Sequence, residues 1–172
     1  PDLMNNLLGV LLRFRQGPVA FSADIESMFY QCLVEPQHRD ALRYLWWPEG
    51  DYSLPPTTYR MRVHPFGGVW SPSCAIFILR KTADENIGEF KSNVINTVHE
   101  SFYMDDCLKS CYSETEAIQI AKDLQRMLFT GHFKLHKFVS NSQAFLCSLK
   151  PEDRAFSMKE IDIKDATLPD ER

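Results

Sequence analysis

The sequence predicts an α+β protein, an antiparallel sheet backed by helices, and three observations carry that expectation. Residues 113–130 repeat Ile120, Leu124, Met127 and Leu128 along one face, between a Ser113/Glu116 capping pattern and Gly131. Apolar segments at 19–25, 42–47, 58–63 and 133–139 are short and strand-like. The acids Asp105 and Asp106 interrupt a further apolar and aromatic run. The resulting order of helix, strand, hairpin, helix, acidic hairpin, helix and strand suits helices layered on one face of an antiparallel sheet.

The elements follow in order. Leu3, Leu7, Leu8, Leu11 and Leu12 recur at helical spacing, so residues 2–15 are read as an amphipathic helix ended by Gly17-Pro18. Residues 19–25 read as a buried strand with Asp24 near its end, and residues 27–33 fit a helical turn or more strand. Residues 42–47 and 58–63 flank Pro48-Glu49-Gly50-Asp51 as a hairpin. Pro65-Phe66-Gly67-Gly68 breaks the chain, and Ser71-Pro72 opens a helix expected to reach about residue 87, with Ser71 a candidate N-cap. Residues 94–97 read as a weak apolar stretch, and the polar run 164–172 as no closing element.

The bulk numbers set limits. A chain of 172 residues, 44% hydrophobic and 12% aromatic, can bury one ordinary core, and 24% charged residues speak against wholesale disorder. The net charge of −4 runs against a nucleic-acid partner, because phosphate binding usually requires a basic surplus. An acidic catalytic centre is the other source of such a balance. Five cysteines with no CxxC pair make no disulfide framework, so reduced intracellular thiols are expected. No apolar run is long enough to span a bilayer, so no membrane partner is expected. The opening Pro1 and the polar end suggest a piece of a longer product.

The acids carry the chemistry. Asp24 sits at the end of an apolar strand, where an unpaired charge is costly. Asp105 and Asp106 repel one another. A divalent cation shared by Asp24 and Asp105 would relieve both, and phosphoryl-transfer enzymes use paired Mg²⁺ ions about 3.5–4 Å apart in this way. Plainer readings stand beside it. Asp24 suits a helix N-cap, Asp105-Asp106 an exposed hairpin tip, Phe29 core packing, and Gly67-Gly68 a turn. His132 and His136 have zinc spacing only if helical, and their neighbours look strand-like. Trp46-Trp47 with Arg39, Arg43, Arg60 and Arg62 fits either template contact or ordinary packing.

Three motifs in order give a resemblance. Tyr103-Met104-Asp105-Asp106 resembles the YxDD signature of reverse transcriptases. Ala23-Asp24-Ile25-Glu26-Ser27-Met28-Phe29 resembles their first palm motif, and Pro65-Phe66-Gly67 with Ser71-Pro72 the motif between. Residues 7–15, Arg39-Asp40-Ala41-Leu42-Arg43, Trp46-Trp47, residues 103–110 and Lys137-Phe138-Val139-Ser140-Asn141-Ser142 are similar to Pao-type (Bel-Pao) retrotransposon polyproteins. The similarity covers most of residues 2–155.

That resemblance implies a polymerase palm with a fingers hairpin at about 34–64, as one domain fragment over 1–172, without thumb or ribonuclease H. It implies RNA-templated DNA synthesis with two Mg²⁺ ions, or Mn²⁺ in their place. The partners would be an RNA or DNA template-primer, deoxynucleoside triphosphates, and the thumb, ribonuclease H and integrase of the polyprotein. Asp24, Asp105 and Asp106 would hold metal. Phe29 would be the steric gate against a ribose 2′-hydroxyl. Backbone amides from Ile25 to Met28 would hold the triphosphate, and Phe66 and Gly67 would lie under nucleotide and template. Retroviral enzymes carry Gln where Phe66 stands, whereas several retrotransposon groups carry Phe. Lys137 would approach the phosphates or protonate the leaving pyrophosphate. The alone-standing chain is expected to bind primer-template poorly and polymerise little.

Three rival expectations remain open, the weakest an RNA-dependent RNA polymerase, which the apolar ring of Phe29 disfavours. A decayed or repurposed palm would bind nucleic acid without turnover. An unrelated α+β interaction domain would leave Asp24 and Asp105 far apart in the fold.

Overall fold

In the computed structural model, which describes residues 3–156, alternation over Val19–Ile25 makes a strand, β1, that buries Phe21, Ala23 and Ile25. The strand is interior to a four-stranded antiparallel sheet. On one side lies β5 (Asp106–Cys111), with β4 (Phe102–Tyr103) beyond it at the edge. On the other side lies β6 (Leu135–Ser140).

Helix α5 (Glu114–Thr130) forms as its pattern predicts. Ser113 Oγ accepts from the Glu116 amide at 3.2 Å, while Glu116 reaches back to the Tyr112 amide at 3.0 Å. Its apolar stripe of Ala117, Ile120, Ala121, Leu124, Met127 and Leu128 is buried in the core that holds Phe21, Phe138 and Phe145. Phe21 and Phe145 stack at 5.0 Å. Each fully buried Leu, Ile, Met or Phe among them contributes about 1.5–3 kcal/mol.

Several expectations are corrected. Residues 94–97 are not a weak stretch but belong to α4 (Ser92–Ser101), which buries Val94, Ile95, Thr97, Val98 and Ser101. Its β-branched content lowers intrinsic helix propensity, and tertiary burial outweighs that. The first helix, α1, is shorter than residues 2–15. It spans Leu7–Phe14, because the Asn6 side chain caps it by accepting from the Gly9 amide at 3.1 Å. Residues 27–33 resolve into a short helix, α2 (Met28–Gln31). Helix α3 covers Ser71–Glu85, yet Ser71 is not its N-cap: Trp70 holds that place, and Ser71 Oγ donates to the Pro65 carbonyl at 3.0 Å. A further helix, α6 (Gln143–Cys147), is capped by Ser142. The run 164–172 lies outside the described residues.

The hairpin expected at 34–64 is present with trimmed strands, β2 (Arg43–Trp46) and β3 (Thr57–Arg60), paired Tyr44 to Tyr59. All eight strand residues are exposed. The ribbon joins the main body through hydrogen bonds from the Val34 amide to Arg62 at 2.9 Å and from the His64 amide to Cys32 at 3.0 Å. Among the described residues no helix is long and apolar enough to cross a membrane.

Candidate functional site

Pairing brings the distant acids together. Antiparallel register sets Asp24 directly opposite Asp106 on neighbouring strands. Strands β4 and β5 are joined by the two-residue turn Met104-Asp105, with Met104 in the left-handed region at φ 57°. The Ile25 amide donates to the Asp105 carbonyl at 2.9 Å, which ties that turn to β1. Asp24 and Asp105 therefore do not lie far apart in the fold.

Asp106 is exposed at the start of β5, yet partial burial of its carboxyl, and then the charges of Asp105 and Asp24, raise its pKa above the usual carboxylate range. Three acids crowd one sheet end, as the isolated sequence suggested, and their mutual repulsion is the electrostatic signature of the site.

One cation answers them. Between Ser22 and Asp24 the β1–β6 register shifts, Ser22 pairing with Val139 and Asp24 with His136. The extra β6 residue makes a bulge, and Lys137 within it takes a left-handed φ of 53°. Lys137 Nζ thereby reaches Asp24 Oδ2 at 2.6 Å, and this hydrogen bond raises the pKa of its ammonium. Next to it, Lys134 pairs with Glu26 at 2.6 Å, which holds the Glu26 carboxyl below its ordinary range.

Beyond the acids, a cavity of about 460 Å³ is lined by Phe29, Phe66, Gly67, Ser71, Met104 and Asp105. Segments far apart in sequence thus meet around one acid. Phe29 is buried and meets the exposed Phe66 edge to face at 5.1 Å. Gly67 has φ 86°, a conformation that favours glycine.

The Ile25 side chain is buried and its amide donates to the Asp105 carbonyl. The Glu26 amide likewise donates to the Lys134 carbonyl at 2.9 Å. In the ribbon, Arg39 donates to the Val34 carbonyl at 2.8 Å, and Arg43 and Arg60 both pair with Asp40 at 2.8 Å. These three cations serve the ribbon's own structure. Trp46, Trp47 and Tyr52 form a partly exposed aromatic chain. His132 lies in the turn after α5 and His136 on β6, so the pair has no helical zinc geometry.

Sequence reasoning missed the place of His136, whose Nε2 lies 3.5 Å from Asp24 Oδ2. It also missed the Glu26–Lys134 pair. Only strand pairing reveals either one.

A divalent cation can be tested against these residues. Among the described residues no three His, Cys, Asp or Glu side chains converge as a ready cage. Mg²⁺ sites in phosphoryl transfer, however, commonly use one or two carboxylates completed by water and substrate phosphates. A raised Asp106 pKa between two further carboxylates is the electrostatic condition that a hard cation relieves. Carboxylate oxygens are the donors that a hard cation of this kind prefers.

No family model matches the chain, and no curated protein matches it.

Proposed function

We propose that this chain is the palm, with part of the fingers, of an RNA-directed DNA polymerase related to Pao-type retrotransposon reverse transcriptases. The observation that carries the reading is the register of Asp24 against Asp106, with Asp105 in the adjoining turn at the mouth of a cavity lined by Phe29, Phe66 and Gly67. These are the residues of three motifs that stand far apart in the chain, and an accidental match has no reason to gather them.

Asp24 and Asp105, with Asp106, would hold Mg²⁺, or Mn²⁺ in its place. Held by these carboxylates, such a cation would supply charge neutralisation for a primer 3′-oxygen and a transferring phosphoryl group. The chain's own contribution is positioning. The β1–β5 pairing and the Ile25–Asp105 bond fix the acids. Phe29 walls the sugar side of the cavity with an apolar ring, leaving a 2′-hydroxyl no partner. Phe66 and Gly67 offer a surface under base and template. Lys137, bonded to Asp24 at 2.6 Å, would exchange that carboxylate for a phosphate oxygen. Template-primer, deoxynucleoside triphosphates and the remaining polyprotein segments are the partners in this reading.

The test is primer extension on an RNA template with deoxynucleotides and Mg²⁺, for this chain alone and within a longer polyprotein product, beside Asp105→Asn. Extension that disappears in the variant supports the reading. A folded protein that binds template and never extends it, in either form, favours a repurposed palm without turnover.

A further inference from the structure

Two consecutive residues of β6 approach the same oxygen of Asp24. Lys137 Nζ is 2.6 Å from Oδ2, and His136 Nε2 is 3.5 Å from it. In a regular strand neighbouring side chains point to opposite faces. Here the bulge at Lys137 lets both converge on one carboxylate.

The two differ in what holds them. Lys137 is 59% exposed on a long flexible stem. His136 is only 13% exposed, and its Nε2 is buried with no hydrogen-bond partner. At 3.5 Å the nitrogen stands too far from Oδ2 for a good bond. A buried polar atom left unpaired calls for a reason, and the carboxylate oxygen nearby, Asp24 Oδ2, is the one that Lys137 occupies.

We propose that His136 is a positioning residue and the reserve donor to Asp24. When Lys137 swings onto an anion, His136 Nε2–H closes the remaining gap and takes Oδ2. The carboxylate then keeps its orientation toward Asp106 while the ammonium is away. The identity of that anion as a triphosphate or pyrophosphate rests on the polymerase reading; the exchange itself does not.

The experiment is nitrogen-15 NMR of the histidine side chains in the full 172-residue chain. The His136 signal is assigned by its loss in His136→Gln. In Lys137→Met, the Nε2–H of His136 is expected to appear as a downfield, slowly exchanging resonance that the unsubstituted chain lacks. Lys137→Ala serves should the methionine disturb folding, as judged from the amide spectrum. An unchanged His136 signal in both folded variants overturns the proposal.

Mn²⁺ binding followed by electron paramagnetic resonance gives a second readout. In the Lys137→Met background, His136→Phe should weaken Mn²⁺ by about fivefold or more, the scale of coupled neighbours. His136→Gln, which keeps a donor, should restore most of it. Equal losses for Phe and Gln overturn the donor role. Inorganic pyrophosphate added to the unsubstituted chain separates the two claims. If the resonance appears in Lys137→Met and pyrophosphate does not induce it, the exchange stands and the phosphate reading of this site falls.

Discussion

Phe29 and Phe66 meet edge to face, ring centroids 5.1 Å apart and planes at 85°, although one follows the first acidic strand and the other opens the loop before α3. Their contact closes one side of the cavity that Asp105 lines. In the polymerase reading this wall tells deoxyribose from ribose. Phe29→Val should lower discrimination against ribonucleotides by about 10- to 100-fold, the range over which an apolar pocket rejects an added hydroxyl. Single-nucleotide insertion of matched deoxy- and ribonucleotides measures it. An unchanged ratio would leave Phe29 as packing alone.

Asp106 predicts an unusual pH dependence. Burial, then the charges of Asp105 and Asp24, raise its pKa in the folded chain above the unfolded value. The folded state therefore favours the protonated acid, and stability is lost as pH rises through the folded pKa. Asp106→Asn removes that loss, so its Tm should exceed that of the parent at neutral pH. The difference should fade as pH falls to about 3.9 and below, where the parent acid is protonated in both states. Added Mg²⁺ should raise the parent's Tm and narrow the gap. A Tm lowered by Asp106→Asn at neutral pH would contradict this electrostatic account.

The bulge at Lys137 can be tested without its charge. Ala and Gly both remove the ammonium, so their difference reports the backbone at φ 53°. In ordinary strand positions Ala is the more stable by about 0.5–1 kcal/mol. A left-handed residue costs a side chain about 1–2 kcal/mol, which reverses the order. Lys137→Gly should unfold at higher urea than Lys137→Ala, and the ordinary order would argue against the bulge.

Gly17 lies flat against β5. A Cβ there would sit 2.3 Å from the Cys111 carbonyl oxygen, a backbone atom that cannot turn aside. Gly17→Ala should destabilise by about 1–3 kcal/mol, the usual cost of overpacking. Denaturant titration reads it directly, and a neutral outcome would mean the α1–β1 connection moves freely.

Local patterns made much of this legible. Helix α5 carried its own signals, with Ser113 and Glu116 at one end, Gly131 at the other, and one apolar stripe between. Strand β1 announced itself through apolar alternation, and Pro48 to Asp51 through turn chemistry. Helix α4 escaped because Val94, Ile95 and Val98 suit strands as well as helices, and only burial against the core decides between them. The β6 bulge escaped too, since Lys137 is not a residue type that advertises a left-handed backbone.

What the sequence determined by itself was the antiparallel α+β class and the set of acids, Asp24, Asp105 and Asp106. Those follow from periodicity, caps and charges out of place, which are properties of neighbours along the chain. The tertiary structure alone decided that Asp24 faces Asp106, that Lys137 and His136 converge on one carboxylate oxygen, and that the Ile25 amide is already spent on Asp105. Strand register is the physical reason. A shift of one residue turns every side chain to the other face, and that choice is made by the packing of the whole core, which no local segment encodes.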